Sequence, residues 1–130
     1  MYKLFLGQVL LVGLGGFLGS VARFVLSGAV HRCFSPAVFP YGTLAVNTLG
    51  CLAIGFLGGL METRQWLGQA ERLFLLVGVL GGFTTFSTFA FETLGLVQGS
   101  AFLKAGINAA AQVLLGLGAA WLGYAVAQQL

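Results

Sequence analysis

Charge is what this sequence has least of. Only 7% of its 130 residues are charged, six lysines and arginines against three glutamates, where a soluble domain carries about 25%. A chain with so little to present to water is not a soluble globular domain. Cysteine occurs twice and histidine once. Cys33 and Cys51, one in a loop and one inside an apolar run, have no metal-ligand or disulfide spacing and are expected as free thiols. No cluster of His, Cys or carboxylate residues lies in the apolar segments, which argues against a membrane enzyme. No GxxxxGK[ST] pattern is present, so neither a nucleotide site nor an ATP-driven pump is expected in this chain. The six basic residues are scattered and the net charge is only +3, which gives nucleic acid no surface to follow.

What remains is apolar. Hydrophobic residues make up 58% of the chain and the mean hydropathy is +0.99. Four stretches carry no Lys, Arg, Asp or Glu: Leu4 to Ala22, Val38 to Met61, Leu73 to Phe91 and Ala105 to Leu130. Each matches the roughly 20 residues that a helix needs to cross a bilayer core. The expected fold is therefore all-α and integral to the membrane, one domain over 1–130 with helices near 4–29, 38–61, 73–97 and 103–127. The first run is too long for the apolar core of a signal peptide and lacks a cleavage site, so it is read as structure.

Four spans put Lys3, Arg64 and Arg72 on one side of the membrane and, if Arg23 ends the first span, Arg23, Arg32 and Lys104 on the other. Three against three leaves no basic excess to orient the chain. Either a partner fixes the topology, or copies insert both ways and pair as antiparallel, dual-topology homodimers, which is the more economical reading. A bundle this small also has few side chains with which to enclose a pathway alone.

Glycine is abundant, 21 of 130 residues, over twice the usual roughly 7%. Gly15 and Gly19, Gly55 and Gly59, and Gly78 and Gly82 have the spacing that lets membrane helices approach closely. Polar residues are few and placed on single faces. Asn47 follows Thr43 by four and precedes Gly50 by three, and Asn108 and Gln112 are four apart with Gly116 next on the line. Each amide can glue helices together or line a pore. Arg23 can snorkel at a helix end or sit beneath an anion vestibule. Glu92 is a candidate partner for a basic residue, and His31 is expected in a short loop with no role beyond solvated surface.

The densest polar feature is Gly81-Gly82-Phe83-Thr84-Thr85-Phe86-Ser87-Thr88-Phe89. Paired glycines and a hydroxyl cluster weaken regular helix, so the third helix is expected to break near its middle, which at membrane depth is tolerated only inside protein or along a wet cavity. Phe86 and Phe89 share a helix face. A ring edge is electropositive and can hold a small anion without binding it so tightly that it cannot leave. Hydroxyls of Ser87 and Thr88 and amides nearby can replace the ion's lost water. A helix break also exposes carbonyl oxygens, which discontinuous membrane helices use to hold sodium.

Together these residues resemble the fluoride channel family known as Fluc or CrcB. Three blocks carry the resemblance: Gly15-Gly16-Phe17-Leu18-Gly19-Ser20-Val21-Ala22-Arg23, then Gly42-Thr43-Leu44-Ala45-Val46-Asn47-Thr48-Leu49-Gly50, then the Gly81 to Phe89 block. The resemblance implies a dual-topology antiparallel homodimer in the bacterial plasma or inner membrane, with two fluoride pores and a structural Na+ at the dimer centre. By motif position Phe86 and Phe89 look like the pore phenylalanines, Asn47 the pore asparagine and Thr88 a hydroxyl beside the ion path. Gly81 and Thr84 resemble the positions whose backbone carbonyls hold sodium, Arg23 the arginine near the vestibule, and Glu92 the acid after the phenylalanine pair. The fourth span departs from the family, which often has a tyrosine and serines where this chain has Asn108, Gln112 and Gly116.

The function so implied is passive, fluoride-selective export. A small dual-topology multidrug transporter is the main rival, but that class needs an acidic residue in its first span to exchange protons, and Leu4 to Ala22 has none. A non-transporting assembly subunit would explain the glycine pairs but not polar positions in three spans.

Overall fold

The structure, a computed structural model, describes residues 2–34, 38–64 and 67–130. The regular elements among the described residues are all helical: α1 (Tyr2–Cys33), α2 (Tyr41–Arg64), α3 (Gln69–Arg72), a π-helical stretch (Leu73–Leu80), α4 (Gly81–Phe83), α5 (Phe86–Gln98) and α6 (Phe102–Ala127). Four segments are long and apolar enough to cross a membrane: Phe5–Cys33, Tyr41–Arg64, Gln69–Gln98 and Phe102–Ala127. The shortest has 24 residues, about 36 Å of helix at 1.5 Å per residue, against a hydrocarbon core of about 30 Å.

Arg23 does not stop α1, which continues to Cys33. A lone charge on a long apolar stem is tolerated in such a helix because the stem packs while the head reaches polar surroundings. His31 and Cys33 thus belong to the last turn of α1 rather than to the loop expected for them.

The glycines decide which helices meet. A Cβ at Gly15 would lie 2.9 Å from the Gly78 Cα, and one at Gly82 would lie 2.9 Å from the Gly16 Cα. The spaced glycines of α1 and those of the third span therefore face one another backbone to backbone. The second pairing sets α2 on α6: a Cβ at Gly55 would lie 2.9 Å from the Ala120 Cα, and one at Gly123 would lie 2.8 Å from the Phe56 nitrogen. In lipid such close contact supplies the dispersion energy that hydrophobic burial supplies in water. Apolar burial within one copy is slight. Among the described residues Val46, Leu80, Leu96, Ala105 and Ala127 are buried, while Phe24, Phe91, Leu103 and Trp121 face outward.

A tight turn joins α5 to α6. The Ala101 N–H donates to the Leu96 carbonyl at 2.8 Å and the Ser100 N–H to the Val97 carbonyl at 3.0 Å, the paired bonds of a Schellman closure. Ser100 takes the left-handed position, φ 58°, that glycine usually fills. The turn folds α6 back along α5 and brings Asn108 to Thr93.

Candidate functional site

Gly81 and Gly82 of the third span are helical, and the departure from helix comes just after them. Gly81 has φ −63° and ψ −36°, whereas Thr84 has φ −81° and ψ 157° and Thr85 has φ −153° and ψ 117°. Gly82 serves the contact with α1; the extended residues are the threonines, whose branched side chains favour extended backbone.

Extended residues at membrane depth need partners for their peptide groups, and Asn47 of α2 supplies them. The Thr85 N–H donates to Asn47 Oδ1 at 2.8 Å, and Asn47 Nδ2 donates to the Thr85 carbonyl at 3.0 Å. A carboxamide carries the same donor and acceptor as a peptide unit, so Asn47 pairs with Thr85 as a neighbouring strand residue would. Thr84 is tied backward: its N–H and its hydroxyl both donate to the Leu80 carbonyl, at 3.0 Å and 2.9 Å. Thr85 then starts α5 as its N-cap, its Oγ1 accepting from the Thr88 N–H at 3.2 Å and donating to the Thr88 hydroxyl at 3.0 Å. A hydroxyl residue three before a helical N–H is a common cap.

A second amide extends the network to α6. Asn47 Nδ2 also donates to Gln112 Oε1 at 3.1 Å, and Gln112 Nε2 is buried with no partner among the described residues. One turn earlier Asn108 is fully buried. Its Nδ2 donates to Thr93 Oγ1 at 2.8 Å, that hydroxyl donates to the Phe89 carbonyl at 2.7 Å, and Asn108 Oδ1 has no partner among the described residues. Across the bundle Thr43 Oγ1 donates to Glu92 Oε1 at 2.9 Å, while Glu92 Oε2 is buried and unpaired.

Two clefts flank this network. The larger, about 670 Å³, is lined by Arg23, Ser27 and His31 of α1, Thr43 of α2, and Thr88 and Glu92 of α5, among others. The smaller, about 370 Å³, is lined by Asn47, Cys51, Gly81, Thr84, Phe86, Phe89 and Gln112, among others. Phe86 and Phe89 meet at a ring-centroid distance of 5.4 Å and an interplanar angle of 65°, an edge-to-face pair. Phe86 is 78% exposed in the single copy.

Comparison with known proteins decides the family. Residues 10–124 match the family model described as CrcB-like protein, Camphor Resistance (CrcB). A protein of Nitratidesulfovibrio vulgaris (strain Miyazaki F) named fluoride-specific ion channel FluC is 50% identical over 116 residues, 89% of this chain and 93% of that one. A protein of the same name from Opitutus terrae is 46% identical over 91% of this chain and 90% of its own, and another from Geobacter sulfurreducens is 42% identical over 94% and 98%. The chain belongs to the CrcB family. With its four apolar spans it is a multi-pass membrane protein of that bacterial family.

Within this CrcB chain, Asn47, Phe86, Phe89 and Gln112 line the smaller cleft together with Gly81 and Thr84. Arg23 and Thr88 line the larger one. Ser87 is exposed and its hydroxyl lies 3.4 Å from that of Thr85. Asn108 lines neither cleft described here and instead holds α6 to Thr93. Gly116 offers no side chain and faces the Cys51 sulfur, to which a Cβ would come within 3.4 Å. Sequence reasoning set apart the hydroxyl cluster without seeing that Thr85 is its hub; the cue available was a hydroxyl residue just ahead of a helical run. The Thr43–Glu92 bond spans 49 positions and left no local sign. His31, assigned to plain surface, is exposed but also lines the larger cleft.

Proposed function

We propose that this chain is a fluoride-selective ion channel that lets fluoride leave the cytoplasm down its electrochemical gradient. The observation that carries the reading is the smaller cleft, where an edge-to-face phenylalanine pair faces carboxamides and hydroxyls with no charged side chain among the lining residues. Electropositive ring edges and neutral donors hold a small anion weakly enough for it to move on. The relatives named fluoride-specific ion channel support the choice of ion. Hydrogen fluoride is a weak acid that crosses membranes uncharged and ionises inside. An inside-negative membrane drives the anion out by about 2.3 kcal/mol per 100 mV, so a passive pore is enough.

The working unit in this proposal is an antiparallel homodimer of dual topology. The near balance of basic residues supports it, Lys3, Arg64 and Arg72 against Arg32 and Lys104 with Arg23 inside α1, as does Phe86, a ring left 78% exposed. A structural Na+ at the dimer centre fits the third span, which departs from helix at Thr84 and Thr85. The helical donor to the Gly81 carbonyl, the Thr85 N–H, is turned to Asn47, and that to the Thr84 carbonyl, the Thr88 N–H, is turned to Thr85 Oγ1. Two carbonyls from each copy then provide hard oxygen donors suited to such a cation, which would lock the two copies together.

Purified protein in liposomes, loaded with fluoride and followed with a fluoride-selective electrode, tests the proposal. Rapid release once an ionophore clears the opposing voltage supports it. Release no faster than from protein-free liposomes rejects it.

A further inference from the structure

We propose that Thr93 is a positioning residue for the Phe89 ring: its hydroxyl, held by Asn108 of α6, ties down the turn of α5 that carries Phe86 and Phe89. The inference rests on the fluoride-channel reading above and assigns Thr93 a role within it.

Phe86 and Phe89 lie in the first turn of α5, directly after the extended pair Thr84 and Thr85. Helix ends fray, and a ring edge serves a passing ion only where the backbone that carries it is held. Asn47 of α2 holds the near end of this turn through the Thr85 backbone. The far end is held at the Phe89 carbonyl. Thr93 stands four residues on, so its N–H is the helical donor to that carbonyl, and its hydroxyl donates to the same oxygen at 2.7 Å.

Threonines commonly return a hydroxyl to the carbonyl four residues back. Thr63, exposed near the end of α2, does so to Gly59 at 3.1 Å. Two observations set Thr93 apart. The carbonyl it reaches belongs to a ring of the smaller cleft, and its hydroxyl also meets Asn108 Nδ2 at 2.8 Å. The direction of that second bond is fixed. A carbonyl only accepts, so the one hydrogen of the hydroxyl goes to Phe89, and Thr93 Oγ1 accepts from Asn108. Asn108 is fully buried, and the turn at Ser100 brings it alongside α5. A hydroxyl that accepts from an amide is polarised and donates more strongly in turn. The order of action is then Asn108 holds Thr93, Thr93 holds the Phe89 carbonyl, and the Phe89 ring edge meets the ion.

Thr93→Val keeps the shape of the side chain and removes the hydroxyl. It also strands the buried Asn108 amide, so a loss of flux in this variant alone does not separate ring placement from folding. Combining it with Asn108→Leu does. Replacing both partners of a buried hydrogen bond by apolar groups of similar shape is nearly neutral for stability, and the leucine also removes the Asn108 oxygen that has no partner among the described residues. Thermal unfolding of the double variant in detergent returns to the wild-type value, while its fluoride release from liposomes stays about fivefold or more below wild type. Thr93→Ser, which keeps the hydroxyl, releases fluoride like wild type. Recovery of release together with stability in the double variant means that the pair only joins α5 to α6, and the assignment falls. It falls equally if Thr93→Val conducts like wild type, if Thr93→Ser is as slow as Thr93→Val, or if the double variant remains unstable. Each of those results leaves the channel reading intact. Wild-type liposomes that release no fluoride overturn the channel reading itself.

Discussion

The larger cleft holds Arg23, His31 and Glu92, three ionisable side chains in about 670 Å³. The smaller, about 370 Å³, has none that carries charge at neutral pH and is lined instead by rings, hydroxyls and carboxamides. Thr85 is the residue common to both linings, and it is also the one whose backbone Asn47 holds. Charge in a low-dielectric passage binds ions strongly and discriminates by sign, while neutral dipoles and ring edges bind weakly and discriminate by size and hydration. Under the channel proposed above, attraction and entry would fall to the larger cleft, and dehydration and selection to the smaller.

Substitution at the shared boundary is expected to do most damage. Asn47→Leu leaves the Thr85 N–H and carbonyl without partners, at about 1–3 kcal/mol each, and frees the amide of Gln112. Fluoride release in liposomes should fall about a hundredfold or more, and thermal unfolding in detergent should come earlier. Undiminished release would mean that Thr85 finds other partners and that the boundary does not matter.

In the smaller cleft, Phe86→Ile or Phe89→Ile keeps most of the volume and removes the ring edge. Release should drop about tenfold, the scale of an aromatic contact, with the elution volume in detergent unchanged. If both variants conduct like wild type, the rings are packing and the contrast between the clefts collapses.

In the larger cleft, Arg23→Gln should lower release only about two- to fivefold at low ionic strength. The deficit should shrink as salt rises, because attraction of an ion toward a mouth is screened within a Debye length of about 10 Å at 0.1 M. A deficit independent of salt would move Arg23 from attraction to direct contact. The smallest effect, less than about threefold, is expected for Thr43→Val, which removes one hydroxyl donor to Glu92. A larger loss would mean that Glu92 takes part in passage rather than in shaping the cleft wall.

Much of the fold was legible in the residues because membrane spans are written in long local runs. The absence of charge over Val38 to Met61 is enough to find a helix there. The spaced glycines announced close contacts, though their partners, Gly78 with Gly15 and Gly123 with the Leu52–Phe56 turn, depend on how helices are arranged in space. The departure from helix was expected from the glycine pair and the hydroxyl cluster together, and the extended residues are those of the hydroxyl cluster, Thr84 and Thr85. Propensity treats Gly81 and Gly82 as weak helix formers, yet both are helical, Gly82 against Gly16 of α1, and Asn47 satisfies the extended backbone three residues later at Thr85. That bond joins residues 38 apart, so no local pattern could reveal it. The candidate site residues could be named from the sequence only as types on faces; which of them bond to one another is a property of the whole network. Sequence placed Asn108 and Gln112 on one line; the turn at Ser100 brings the first to Thr93 and leaves the second beside Asn47.

The reversal potential of single channels in a planar bilayer, with fluoride on one side and an equal concentration of chloride on the other, tests the central claim most directly. A pathway selected by ring edges and neutral amides sized for fluoride gives a current carried by fluoride alone, with the reversal potential driven far toward the fluoride equilibrium value. A reversal potential near zero, the mark of a pore that passes both halides alike, would contradict it.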